Sequence, residues 1–256
     1  QELLVADPIH DVTLAGGLIA SDLENALISV IVPVYNGASF IAEAIGSILA
    51  QAGGHEREII VVDDCSTDET VAVVERFGDP VRLIRRQMNA GSAVARNDAL
   101  AAARGDIIGF LDADDLWTDR HLASLLPMLA DPALDCARGW TRMTALADPG
   151  IDLGESYQPI LLGAGLYRRS VFDRVGGFEP VLRAGEDLDM AARIGEAGVR
   201  IAVTTEIVLV YRRHDRSAVA KAGAVQRGQF DAIRSRLVAE ATHGGMADPG
   251  VAMRGG

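Results

Sequence analysis

Apolar residues follow two alternating rhythms along the first half of this chain. Residues 27–34 (LISVIVPV) form a largely apolar run rich in β-branched side chains, the pattern of a strand buried on both faces. Phe40, Ile41, Ala44, Ile45, Ile48 and Leu49 then recur at helical spacing within 39–51, which completes a first βα unit. Residues 58–62 (EIIVV) repeat the strand pattern, and Ser66-Thr67-Asp68-Glu69 reads as a capping box opening a helix over 70–77. A third strand at 81–85 leads into an alanine-rich helix over 92–104, and a fourth at 106–111 (DIIGFL) ends in Asp112-Ala113-Asp114-Asp115. This alternation predicts an α/β fold with a mostly parallel central sheet flanked by helices.

Past Trp117 the rhythm loosens. The pattern predicts a helix over 118–129, a strand over 136–143 and a loop over 147–154 around Asp148-Pro149-Gly150. A short helix at 170–175 closed by Gly176-Gly177 follows, then a helix at 188–196 closed by Gly198, and strands at 199–203 and 206–212. Residues 224–241 read as a polar amphipathic helix before a glycine-rich tail. The expected organisation is an N-terminal extension over 1–26, one domain over 27–217, and a C-terminal helix and tail over 218–256. The extension has neither the basic start nor the long apolar core of a secretory signal. No run approaches the ~20 apolar residues of a membrane span, and the longest, 26–35, is interrupted by Pro33. The expectation is a soluble or peripheral protein without a transmembrane segment.

Composition removes several function classes. Across 256 residues, 24 Lys+Arg face 36 Asp+Glu, a formal charge of −12. That surplus of acid argues against nucleic acid as a partner, because a polyphosphate backbone is held by clustered cations. Lys221 is the sole lysine, so a Schiff base or a phosphate-binding Gly-Lys-Ser/Thr loop has no residue to use. Cys65 and Cys136 cannot build a disulfide framework and form no Cys-x-x-Cys pair, which points to a reducing compartment.

The remaining candidate chemistry collects at strand ends, where open α/β sheets bind their ligands. Asp112 and Asp114, two apart beyond a strand, can converge on one divalent cation, and oxygen ligands suit Mg²⁺ or Mn²⁺. The same residues also suit a solvated acidic turn ahead of the next helix. Asp63 and Asp64 end the second strand; with Ser66 in the capping role they are left to accept from an N–H donor such as a nucleobase imide, though acids there also complement a helix dipole. Glu186-Asp187 opens a helix after Gly185, where a carboxylate can act as a base on an activated hydroxyl or simply be an ordinary first-turn acid. Tyr211-Arg212-Arg213-His214 offers donors for phosphate and an imidazole for a metal.

The order of these segments is more specific than any one of them. PVYN at 33–36, VVDDCSTDET at 61–70, Asn89-Ala90-Gly91 with Ala95-Arg96-Asn97, FLDADD at 110–115, LYRRSVFDRVGGF at 166–178, GEDLDM at 185–190 and YRRH at 211–214 together resemble the family 2 glycosyltransferases over about residues 27–217. The resemblance implies a GT-A fold, with a nucleotide-binding half over 27–117 and an acceptor-binding half over 118–217. It also implies a nucleotide-sugar donor, most commonly a UDP-sugar, a carbohydrate or other hydroxyl acceptor, and Mg²⁺ or Mn²⁺. By the same resemblance Pro33, Tyr35, Asn36, Asp63, Asp64, Asn89 and Arg96 hold the nucleoside end. Asp112 and Ala113 face the ribose; Asp112, Asp114 and His214 serve the metal. Asp187, beside Glu186, is the expected base of an inverting displacement. Cys65 stands where glycine is common, which a negative φ would accommodate.

Three rivals make different demands. A noncatalytic nucleotide-sugar-binding protein on the same fold would not need the Glu-Asp pair. A sugar-phosphate nucleotidyltransferase would carry a glycine-rich basic signature after the first strand, and Asn36-Gly37-Ala38-Ser39 is not one. A dinucleotide oxidoreductase would show Gly-x-Gly-x-x-Gly there. The expected location is the cytoplasm, including the inner face of the cell membrane. With one lysine to face a diphosphate, metal dependence is expected to be strict.

Overall fold

The computed structural model describes residues 23, 25–145, 148–157 and 161–213. The strands in chain order are β1 (Ile28–Val34), β2 (Arg57–Asp63), β3 (Val81–Arg85), β4 (Ile107–Phe110), β5 (Leu116–Trp117), β6 (Cys136–Ala145), β7 (Asp148–Tyr157), β8 (Gly165–Arg168) and β9 (Ile201–Arg213). The helices are α1 (Ile41–Leu49), α2 (Thr70–Glu75), α3 (Ser92–Ala102), α4 (His121–Leu125), α5 (Arg169–Val175) and α6 (Glu186–Glu196). The strands described form one sheet in the order β3-β2-β1-β4-β8-β6-β9-β5, with β7 paired to β6.

The first half of the sheet, β3-β2-β1-β4, is parallel throughout. Beyond β4 it is mixed: β8 is antiparallel to both β4 and β6, β9 runs parallel to β6, and β5 is antiparallel to β9. Every residue of β1 is buried, as a central parallel strand covered on both faces requires. Its side chains alternate between two cores. Val30, Val32 and Val34 join Ile41, Ile45 and Ile48 of α1 and Val74 of α2 on one face. Ile31 joins Ala95 and Ala99 of α3, Phe172 of α5, and Met190 and Ile194 of α6 on the other. Burying each such Val, Ile or Phe contributes about 1.5–3 kcal/mol. Phe110, at the end of β4, meets Tyr167, Phe172 and Phe178 edge-on at centroid distances of 6.0, 5.6 and 5.7 Å, and so seals the second core directly beneath the aspartate loop.

Several local expectations change. Residues 147–154 are not a loop, because β7 spans most of them. It pairs with β6 alone, and an edge strand tolerates the Pro149 and Gly150 that suggested a turn. The two strands expected at 199–203 and 206–212 are one, β9, whose register against β6 shifts twice. The helix expected over 118–129 is α4 followed by a 3₁₀ turn, Pro127–Ala130, because Pro127 cannot continue the α-helical bonding. The strands β5 and β8 carry too few residues to show a period. Leu23 and Ala26, in the expected extension, are buried in the first core. The helix expected at 224–241 lies outside the described residues. No helix among the described residues is long and apolar enough to cross a membrane.

Candidate functional site

Loops beyond β1, β2 and β4 and the start of α6 meet at one end of the sheet. The first two are tied together by side-chain hydrogen bonds. The Asn36 N–H donates to Ser66 Oγ at 2.8 Å, the Gly37 N–H to Thr70 Oγ1 at 2.9 Å, and the Thr67 N–H to Asn36 Oδ1 at 2.8 Å. Ser66 therefore does not cap α2. That work falls to Asp68, whose Oδ1 accepts from the Thr70 N–H at 3.0 Å. Asn36 and Cys65 both adopt positive φ, 51° and 67°. The expectation of a negative φ at Cys65 is thus overturned; the position has the backbone that favours glycine, at a cost on the order of 1 kcal/mol for cysteine. Gly37 sits where a Cβ would come within 2.6 Å of Val34 Cγ2 and 3.7 Å of Ala113 Cβ, so its lack of a side chain lets the β1 and β4 loops close on each other.

Asp63 and Asp64 have different surroundings. Asp63 accepts from the Ser66 N–H at 3.2 Å and lines a cavity of about 370 Å³ with Cys65, Ser66, Arg85, Arg86 and Gln87. Asp64 is committed on all sides. Its carboxylate accepts from the Ala90 N–H at 3.0 Å and the Gly91 N–H at 2.7 Å, and pairs with Arg86 Nε at 3.0 Å. Asn89 adds to the same junction through Nδ2, donating to the Asp64 carbonyl at 3.1 Å. Asp64 and Asn89 thus hold the start of α3 against the end of β2.

The centre of the site is Arg96 of α3. This buried guanidinium reaches Asp112 Oδ1 through Nη2 and Glu186 Oε1 through Nη1, both at 2.6 Å, joining the β4 loop to α6. Ser92 donates to the same Glu186 oxygen. Burial works to raise the Glu186 carboxyl, but Arg96 and Ser92 hold it below the usual carboxylate range. Asp187 is the reverse case: burial and the neighbouring Glu186 and Asp112 raise its carboxyl above the usual range, with Arg96 opposing, and it accepts the Leu188 N–H at 3.0 Å. The Asp112 carboxyl is also raised, by its protein surroundings first and then by Asp114 and Glu186, against the pull of Arg96. Gly185, in the left-handed region at φ 79°, turns the chain into α6 at this point.

The Asp112–Asp115 loop is held from its other side. The Asp115 N–H donates to the Asp112 carbonyl at 3.0 Å, and buried Asp115 accepts the Arg212 N–H at 2.9 Å. Arg212 also donates through Nε to the Asp114 carbonyl and through Nη1 to Glu43 of α1. Burial, with Asp114 and Asp112 adjacent, pushes the Asp115 carboxyl well up, with Arg212 opposing. The suggestion that Arg212 supplies a phosphate donor therefore changes: its side chain is buried and braces the aspartate loop. His214 lies outside the described residues.

The donor set fits one divalent cation with substrate phosphate completing its shell. Asp112 and Asp114 are hard oxygen donors two residues apart at a strand end, close enough to raise the Asp112 carboxyl. Among the described residues no group of three or more His, Cys, Asp or Glu side chains could hold a metal. Of the expected residues, Asn36, Asp63, Asp64, Asn89, Arg96, Asp112, Ala113, Asp114, Glu186 and Asp187 belong to this linked set of loops. Pro33 is buried inside β1 opposite Val62, and Tyr35 stands 52% exposed at the rim. Ser92 escaped sequence reasoning, as did the bracing roles of Asp115 and Arg212. Arg212 and Ser92 bind residues more than 90 positions away, which no local spacing reveals.

Comparison with known proteins agrees with this geometry. Residues 29–183 match the sequence profile described as Glycosyl transferase family 2. A putative teichuronic acid biosynthesis glycosyltransferase, TuaG of Bacillus subtilis, is 37% identical over 130 residues, 50% of this chain and 50% of that protein. The Escherichia coli UDP-Glc:alpha-D-GlcNAc-diphosphoundecaprenol beta-1,3-glucosyltransferase WfgD is 37% identical over 108 residues, 42% of each chain. The chain thus spans about half the length of curated relatives it matches. Among solved structures, the mannosyltransferase PcManGT of Pyrobaculum calidifontis, in complex with GDP-Man and Mn²⁺, superposes with a TM-score of 0.60 at 27% identity, covering 88% of this chain and 66% of that one. The fold is GT-A, and the chain belongs to glycosyl transferase family 2.

Proposed function

We propose that this chain is an inverting, metal-assisted glycosyltransferase that moves a sugar from a nucleotide-sugar, a UDP-sugar, to a carbohydrate hydroxyl. The observation that carries the mechanism is the contrast between adjacent acids at the start of α6. Arg96 and Ser92 keep Glu186 ionised and occupied, while Asp187 has its carboxyl raised toward the range in which a base accepts a proton. In this reading Asp187 takes the proton of the acceptor hydroxyl as that oxygen attacks the anomeric carbon, and the bond to the nucleoside diphosphate breaks on the opposite side. Glu186 positions Arg96, and Arg96 in turn holds Asp112. The cavity beside Asp63 takes the nucleobase, with the carboxylate accepting its imide N–H. A divalent cation held by Asp112 and Asp114 would offset charge building on the leaving diphosphate. The donors of relatives support the donor class: UDP-Glc for WfgD, and GDP-Man bound with Mn²⁺ by PcManGT.

The test is Asp187→Asn assayed with a panel of UDP-sugars and carbohydrate acceptors. Transfer should be abolished while UDP affinity stays within about twofold. Surviving transfer would overturn the base assignment, and a wild-type chain that binds donors tightly but turns none over would favour a noncatalytic binder.

A further inference from the structure

Within this site one buried residue has no role in the proposed chemistry and yet contacts the loop that supplies it. Arg212 closes β9, far from the aspartate loop in sequence. Its side chain is 6% exposed, and its guanidinium carbon lies 5.7 Å from the centre of the Phe40 ring. From there it grips the loop twice, by its backbone N–H to Asp115 Oδ1 at 2.9 Å and by Nε to the Asp114 carbonyl, and it grips α1 through Glu43.

We propose that Arg212 is a positioning residue that sets the direction of the Asp114 carboxylate toward a divalent cation, an inference that rests on the metal-assisted reading above. Fixing the Asp114 carbonyl fixes the peptide plane that follows its Cα, and the turn closed by the Asp115 N–H on the Asp112 carbonyl fixes the residues on either side. Asp112 is itself tied to Arg96, so the backbone that carries both aspartates is held from both sides of the loop. Outer-shell groups that orient a metal ligand commonly contribute 10–100-fold in metal affinity. The planar fork of arginine is needed, because Nε and Nη1 address two acceptors on different elements at once; an ammonium on a flexible stem does not reproduce that geometry. Glu43 is 65% exposed, so its ion pair adds little stability of its own and serves to aim the guanidinium.

The test measures Mn²⁺ binding itself, by the loss of the free-ion electron paramagnetic resonance signal, with saturating UDP and without any turnover. Wild type, Asp114→Asn, Arg212→Met, Arg212→Lys and Glu43→Gln are compared, each checked by circular dichroism and urea unfolding. Asp114→Asn should abolish saturable binding. Arg212→Met and Arg212→Lys should each weaken Mn²⁺ binding by about 10–100-fold, and Glu43→Gln should weaken it less, in the same direction. UDP affinity without metal should stay within about twofold in all of them. If Arg212→Met does not fold, Arg212→Lys and Glu43→Gln carry the test. Folded Arg212 variants that bind Mn²⁺ as wild type does would overturn the positioning role while leaving the metal reading intact. Wild type without Asp114-dependent Mn²⁺ binding would overturn both.

Discussion

Arg96→Met isolates the charge arrangement on which the site depends. Arg96 reaches two carboxylates at 2.6 Å, but the two are unequally solvated: the Glu186 side chain is 10% exposed and that of Asp112 is 47% exposed. Removing the cation strands Glu186 as a buried, uncompensated charge, which costs on the order of 3–5 kcal/mol. Asp112 can rehydrate, so its share is at most about 1 kcal/mol. The guanidinium also lies 5.5 Å from the Phe178 ring centre, a contact worth roughly 0.5–2 kcal/mol. The single substitution should therefore destabilise the protein by roughly 4–8 kcal/mol, mostly through Glu186. In a Glu186→Gln background the stranded charge is gone, and the same substitution should cost only about 1–3 kcal/mol, a coupling of roughly 3–5 kcal/mol. Urea unfolding of the four proteins of this cycle, without nucleotide or metal, measures both numbers. A cost below about 1 kcal/mol, or an equal cost in both backgrounds, would show that Arg96 does not hold α6 to the β4 loop through Glu186.

Two further predictions concern the scaffold under the site. His121 is fully buried, stacked on Trp117 with ring centres 3.7 Å apart, and burial lowers its pKa to about 3 although the Nδ1 contact with the Val208 carbonyl works the other way. Because the unfolded chain protonates this ring near pH 6.5 and the folded one does not until about 3, folding stability falls as pH drops through that window. The loss from His121 alone is about 2 kcal/mol at pH 5; His121→Phe, which retains a ring for the stack, should remove that part of the difference between urea melts at pH 7 and pH 5, and an unchanged difference would refute it. Gly105 lies so close to β1 that an added Cβ would sit 2.3 Å from the Leu27 carbonyl oxygen and 2.7 Å from the Ser29 nitrogen. Gly105→Ala should thus cost about 1–3 kcal/mol by thermal or urea unfolding, whereas Gly46→Ala, with open space around it, should be neutral or stabilising.

What could be read from the chain was whatever is written locally. β1 and β2 announce themselves because both faces are buried, so each carries a run of β-branched apolar residues, and the acids at 63–64 and 112–115 stand out because they end such runs. β7 was hidden because an edge strand is free to contain the residues that elsewhere mark turns. The structural partners of Asp64, namely Arg86, Ala90 and Gly91, were not legible because they lie on the next crossover, and their hydrogen bonds leave no trace in spacing. The same limit separates Glu186 from Asp187. Both are acids in the first turn of one helix, and local spacing alone does not rank them. Consecutive helical positions differ by about 100° in direction, so a turn that aims Glu186 at Arg96 and Ser92 cannot aim Asp187 there as well. One carboxylate is thereby spent on holding the guanidinium, and the next is kept near two other acids, Glu186 and Asp112, with its proton affinity raised. The different proton affinities of the two acids thus follow from the placement of Arg96, and substituting that one arginine should change the behaviour of both acids together.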